Sequence, residues 1–195
     1  MVYQTTIAPA ALPVPLTLYK QQLNLPVDEH DRDDLLNMQL AAATEKCEGY
    51  ASIRSMKQTV VAHVEEWTIN LVFYALAPVL EVSRVEYLDE NEEWQVYAAE
   101  NYKTFTQGIH PRISLHGSAP TLSATALYPL KITLLCGYSE ADAVATQQAA
   151  VPQNLVAAIL LEATRLHQTR ENASMQPGLT TSAERLLSSL RTTIC

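Results

Sequence analysis

Glycine is scarce, with five in 195 residues and no two clustered. A phosphate-cradling loop needs several close together, and GxGxxG, GxxxxGK[ST] and GxSxG are all missing. Cysteine is nearly as rare. Cys47, Cys136 and Cys195 stand far apart, with no CxxC pair and no Cys/His cluster, which excludes a structural zinc site of the usual spacing. They read as reduced thiols of a cytosolic chain, Cys47 and Cys136 buried as small apolar groups and Cys195 exposed. Cations are outnumbered, 13 Lys and Arg against 21 Asp and Glu, for a formal net charge of −8. That balance leaves no surplus to displace phosphate counterions, so a dedicated nucleic-acid grip is excluded, and so is a polybasic membrane anchor. No apolar run approaches the ~20 residues of a membrane span. Met1 to Ala11 lacks the Lys/Arg-led start of a secretory signal.

What remains is globular. Hydrophobic residues make up 48% and charged residues 17%, the composition of a folded chain. The length suits one domain, and a chain of this size buries roughly 70% of its unfolded surface without staples.

Residues 1–16 carry Pro9, Pro13 and Pro15 in an uncharged stretch. Proline blocks helix, so an extended arm is expected. Its Tyr3, Ile7, Leu12 and Val14 would pack on the chain's own domain or on a neighbouring copy. Thr17 can cap a short helix, Leu18 to Asn24, stopped by Pro26. The acidic run Asp28 to Asp34 lacks the alternation and turn glycine of a calcium loop and reads as the negative start of a helix. That helix runs from about Asp33 to Tyr50, with Leu36, Leu40, Ala43, Cys47 and Tyr50 on one face.

The middle is β-like. Val60, Ala62 and Val64 alternate, then Trp67, Ile69 and Leu71 alternate out of phase, as in one strand with a bulge or bend between Val64 and Trp67. Val79 to Leu88, the polar turn Asp89-Glu90-Asn91-Glu92 and Glu93 to Tyr97 read as a hairpin. Shorter strands are expected at Tyr102–Thr106 and Arg112–Leu115, a loop from Gly117 to Pro129, and a strong strand at Leu130–Cys136. Residues 139–150 read as a connection with a helical turn. Pro152 opens a helix that ends near Asn172, and Pro177-Gly178 breaks the chain. Thr181 or Ser182 caps a last helix to about Arg191, with Leu186, Leu187 and Leu190 on one side and Glu184 placed for a capping box. The order gives an α+β fold, a small helical bundle with an antiparallel β-rich insertion between its N-terminal and C-terminal helices. The expected division is 1–16 arm, 17–54 helical, 55–138 β-rich, 151–172 core helix and 178–195 C-terminal helix and tail.

Chemistry is thin. His30, His63, His110, His116 and His167 show neither HExxH nor HxH. Glu65-Glu66 and Glu92-Glu93 are adjacent, and neighbours on a strand face opposite ways, so neither makes an acid/base pair. No catalytic, cofactor-binding or metal-ligating residue is assigned, and an enzyme is not expected.

Several segments resemble one family. Leu16-Thr17-Leu18-Tyr19-Lys20-Gln21-Gln22-Leu23-Asn24-Leu25, then Asp31-Arg32-Asp33-Asp34-Leu35-Leu36 and the alanine-bearing helix ending in Glu48-Gly49-Tyr50, are similar to the opening of the head–tail connector (adaptor) proteins of tailed bacteriophages. Ala77-Pro78 through Leu88-Asp89 is similar to the family's strand and acidic turn. Tyr102, Pro111-Arg112-Ile113, the Ile132-to-Tyr138 strand ending in Gly-Tyr, Val151-Pro152-Gln153-Asn154-Leu155 and the helix ending in Arg170-Glu171 follow in the family's order. Leu186, Leu187 and Arg191 resemble its terminal segment. Where the family often has a glycine or proline near the hairpin, this chain has Glu90-Asn91-Glu92, and Thr192 to Cys195 extend beyond the last arginine.

The resemblance implies a structural protein of the virion neck, assembled in host cytoplasm. About twelve copies would form a ring that joins the portal protein to a stopper or tail-completion protein and passes double-stranded DNA. It implies no cofactor and no membrane. On this reading part of the acidity lines the channel, so that DNA slides without sticking. Leu186, Leu187, Leu190 and Arg191 are the candidate portal contact. The helix that carries them is too short to hold alone and would order on binding, or else close its own bundle. Tyr3, Ile7, Leu12 and Val14 are the candidate neighbour-subunit contact. Another neck or tail-completion protein is the alternative, with an uncharacterised cytosolic enzyme behind it.

Overall fold

The computed structural model describes residues 1–74, 76–106, 108, 110–116, 118–168, 179 and 181–191. Strands and helices segregate into an α+β architecture with two hydrophobic clusters.

The helical cluster is built from α1 (Leu16–Gln22), α2 (Asp33–Ala51), α3 (Val144–Ala150), α4 (Gln153–Gln168) and α5 (Thr181–Leu187). Pro15, not Thr17, stands at the N-cap of α1. Its fixed φ suits that position, and it moves the helix start two residues earlier than the hydroxyl suggested. Asp33 and Asp34 occupy the first turn of α2, where they complement the positive end of the helix dipole. The helix stops at Ser52, which turns left-handed with φ 58°. Leu36, Leu40, Ala43 and Cys47 are fully buried, as their spacing requires. In α4 the broad apolar face buries Leu155, Ala158, Ile159 and Ala163. The stretch read as a connection contains a true helix, α3, with Gln147 buried. The expected end of α4 near Asn172 lies outside the described residues.

The first sheet has the order β1 (Val2–Ile7), β2 (Gln58–Val64), β8 (Leu130–Cys136), β4 (Val79–Leu88), β5 (Trp94–Val96), all antiparallel. The second has the order β3 (Asn70–Val72), β7 (Arg112–Leu115), β6 (Tyr102–Phe105). In β2 and β8 every second residue is buried, and the row Val60, Ala62, Val64 and Leu130, Ile132, Leu134 packs with Leu71, Ile113 and Leu115 of the second sheet.

The N-terminal arm is extended and takes the first of its two expected places, on the chain's own domain: Val2 to Ile7 pairs with β2 as the edge strand of the same sheet. Uncharged and β-prone (Val, Tyr, Thr, Thr, Ile), it finds a ladder close by. The alternating run from Thr59 to Leu71 is two strands, not one bent strand. The phase change after Val64 marks the point where the chain leaves the first sheet, crosses through Glu65 to Ile69 and enters the second.

The two clusters meet at the end of β8. Gly137 has φ +132°, and a Cβ there would lie 2.8 Å from Lys57 N and Met56 C. Gly137 N donates to Pro78 O and Tyr138 N to Ser55 O, so strand β8 is tied at this point to the segment that follows α2.

Candidate interaction surfaces

The C-terminal stripe is the first site the sequence singled out. Helix α5 lies against α4 and α2. Leu187 and Ala183 are fully buried, and Leu186 and Leu190 are half-buried against the helical cluster. Asn154 Nδ2 donates to Leu186 O at 3.2 Å and to Ser189 Oγ at 3.0 Å. Arg191 places its guanidinium 4.9 Å from the Tyr50 ring centroid. The stripe therefore closes its own bundle. Leu187 has no surface left to offer a portal, while Arg191 remains exposed. Residues 192–195, including Cys195, lie outside the described residues.

The four residues of the N-terminal contact part company. Val14 is buried within the helical cluster, and Leu12 packs against it, its carbonyl accepting from Gln148 Nε2 at 2.8 Å. Tyr3 packs on the sheet cluster, and burial pushes its hydroxyl pKa up. Only Ile7, 64% exposed, stays on the surface. Between Ile7 and Val14 the chain passes from the sheet edge to the helical cluster, which takes in Leu12 and Val14. Pattern alone could not reveal this, since an uncharged arm offers no polar face to orient it.

Structure adds a groove that sequence reasoning missed. Ala11, Leu12, Pro15, Asn37, Met38 and Ala41 line an open, mostly apolar cleft of about 560 Å³. Met38 is 63% exposed beside it. The only sequence signal was the slim alanine run of α2.

Charge is concentrated in two projections. The loop before α2 and the first turn of that helix expose Asp28, Glu29, Asp31 and Asp34. There Asp33 binds Lys20, and His30 Nδ1 at 2.8 Å, and these partners hold its carboxyl below the ordinary range. The tip of the β4–β5 hairpin carries Asp89, Glu90, Glu92 and Glu93. Asp89 Oδ1 accepts from Asn91 N at 2.9 Å and Glu93 N at 3.0 Å, and Oδ2 accepts from Gln95 Nε2 at 3.0 Å. The Glu93 amide leads in lowering its pKa. The turn is thus internally braced, Glu92 accepts from Thr125 Oγ1 at 2.9 Å, and Glu90 and Glu93 are exposed.

The Cys47 and Cys136 thiols are sealed in the interior. Burial raises both the Cys47 and Cys136 thiols to about 12, far from thiolate chemistry at neutral pH. Among the described residues no group of His, Cys, Asp and Glu could hold a metal ion, and no helix is long and apolar enough to cross a membrane. His63 lies 3.3 Å from Gln4 Oε1 across the β1–β2 ladder, and His110 meets the Tyr74 ring edge-on.

No family model and no curated protein matches the chain. Solved structures do. A chain from the neck of an empty gene transfer agent particle, computed with C6 symmetry, superimposes with TM-score 0.80 at 19% identity, over 100% of this chain and 97% of that one. The fold is shared with a particle neck. A chain from the virion of a native gene transfer agent particle gives TM-score 0.78 at 20% identity, with the same coverage. A chain from the neck of the native particle, computed with C12 symmetry, gives 0.76 at 19%. The likeness extends end to end, so the β-rich region and the helices belong to one shared plan.

Proposed function

We propose that this chain is a structural neck protein of a tailed-phage-like particle. About twelve copies form a ring that joins the portal to a stopper or tail-completion protein and lets double-stranded DNA through. The observation that carries this reading is the end-to-end match to a neck chain, TM-score 0.80 over 100% of this chain. The connector resemblance in the sequence points the same way, independently of the coordinates. The site of action is the virion, reached by assembly in the host cytoplasm.

The partner contacts narrow on this reading. Ile7 and the open edge of β1 face a neighbouring subunit. Arg191, with the rims of Leu186 and Leu190, faces the portal without α5 leaving its bundle. At −8 per copy a ring of about twelve carries a formal charge of roughly −100, and the part that lines the channel repels the DNA phosphates.

The test is native mass measurement with negative-stain imaging of the full chain, alone and with portal rings from the same genome. A closed ring, or a collar added to the portal, is expected. A monomer or dimer that ignores the portal at micromolar concentration overturns the reading.

A further inference from the structure

Charge is unevenly spread along this acidic chain. Of its 21 Asp and Glu, none lies between Glu100 and Glu140, where Lys103, Arg112 and Lys131 are the charged residues. Folding brings part of that stretch onto one face. In the second sheet the ladder sets Val72, Arg112 and Phe105 in one row, while Leu71 and Ile113 of the alternate row are buried. The Arg112 guanidinium lies 5.0 Å from the Phe105 ring centroid. The Tyr74 and His110 rings meet edge-on at 5.6 Å. Val72, Tyr74, His110 and Arg112 line an open cleft of about 320 Å³. Phe105 and Tyr74 are 46% and 41% exposed. Among the described residues Arg112 pairs with no carboxylate; its contact is the ring beneath it. An arginine stacked on one ring, beside a second exposed ring, has the composition of an interface anchor.

The same chain carries the complement. The β4–β5 hairpin is a narrow projection whose turn is braced by Asp89, with Glu90 and Glu93 turned out to solvent. A braced turn loses little entropy on docking.

We infer that the Arg112 cleft is the socket for the acidic β4–β5 hairpin of a neighbouring copy of this chain. This inference rests on the ring reading above and names its lateral contact. Knob and socket are different patches, so the contact is head-to-tail, the kind that closes rings. Copies that each carry −8 repel one another. Setting an acid-free face against an acidic projection makes the local contribution attractive and fixes the register. DNA is the weaker occupant, because Lys103 and Arg112 alone release few counterions from a duplex.

Two variants test this. Arg112→Glu and the double change Glu90→Lys/Glu93→Lys alter exposed side chains, and circular dichroism checks that each still folds. Each is expected to raise the concentration for half-assembly, alone or on portal rings, by about tenfold or more. The two combined in one chain restore the charge match, and assembly returns to within about threefold of the parent. Unchanged assembly of Arg112→Glu overturns the socket and leaves the ring reading standing. A parent chain that forms no ring with or without portal overturns both. Assembly untouched by Arg112→Glu, together with loss of salt-sensitive DNA binding, assigns the cleft to a polyanion and overturns the inference.

Discussion

The two hydrophobic clusters are held in different ways. In the helical one, buried polar groups tie elements far apart in sequence. Glu162 is fully buried on α4; Lys46 Nζ of α2 donates to it at 2.7 Å and Arg165 Nη2 at 2.6 Å. The Tyr19 hydroxyl of α1 donates to Ala163 O at 2.8 Å and lies 3.0 Å from the Gln39 amide group. Lys20, 3% exposed, gives its ammonium to the carbonyls of Val27 and Glu29 and to Asp33. In the β-rich region the buried side chains are mostly apolar, with Gln58 and Ser123 among the buried polar ones. Position there comes from the main-chain ladders, and the Tyr97 hydroxyl is buried with no partner among the described residues. Helices can slide and rotate against one another, so polar pairs select one arrangement. Strands already in register need no such selection.

The largest break in this contrast is Glu162→Ala. It leaves two cations at the rim of a low-dielectric site without their shared carboxylate, and should cost about 3–5 kcal/mol in urea unfolding. Glu162→Gln keeps shape and hydrogen bonding and should cost distinctly less. Next comes Gly137→Ala, where the chain passes from β8 to the helices. The added Cβ meets backbone atoms at 2.8 Å with φ at +132°, so neither strain nor clash can relax, and a loss of about 3 kcal/mol is expected in the same measurement. A loss below ~1 kcal/mol would show that the Met56–Lys57 segment yields, and that the two clusters are loosely joined.

How far the sequence spoke depended on the signal each element carries. Strands Val79–Leu88, Arg112–Leu115 and Leu130–Cys136 fall where the pattern put them, because alternation and turn residues bound them on both sides. Helix α2 begins at the acidic residues that predicted it. Helix α3 was legible only as a helical turn within a connection, since Val144 to Ala150 is small and polar and takes its face from Gln147, whose side chain reaches Lys57 N and Ala141 O. The Arg112 cleft was invisible for another reason. It is assembled from β3, β7 and the residues beside them, and no spacing within one segment encodes that meeting.

Acid should separate the two clusters. Glu162 is pulled upward by burial, yet Arg165 and Lys46 outweigh that and hold its pKa low. Asp33 is lowered by Lys20 and His30, and Asp142 by Lys57. A carboxyl whose folded pKa lies below its unfolded value contributes stability above the unfolded value, and that contribution is lost as pH falls through the folded one. Among the described residues three such groups serve the helices or their join, and Asp89 alone serves the sheets. Both tryptophans, Trp67 and Trp94, lie in the β-rich region, so fluorescence reports that region while ellipticity at 222 nm reports mainly the helices. Below the ordinary carboxylate range, about pH 4, ellipticity should fall at a higher pH than tryptophan emission shifts. Coincident transitions would mean the clusters unfold as one.

The smallest effect tests the claim that side-chain contacts on the sheet surface matter little beside its ladders. Lys131 Nζ sits 3.5 Å from the Trp94 ring centroid, across strands β8, β4 and β5. Trp94 is 38% exposed, so water competes for the ammonium, and the contact contributes about 0.5–1 kcal/mol. Lys131→Met keeps the aliphatic stem over the ring and removes the charge. The expected loss is below ~1 kcal/mol, with a shift in Trp94 emission as the cation leaves the ring face. A loss as large as that of Glu162→Ala would place a second polar anchor in the β-rich region, and the division of labour between the clusters would no longer hold.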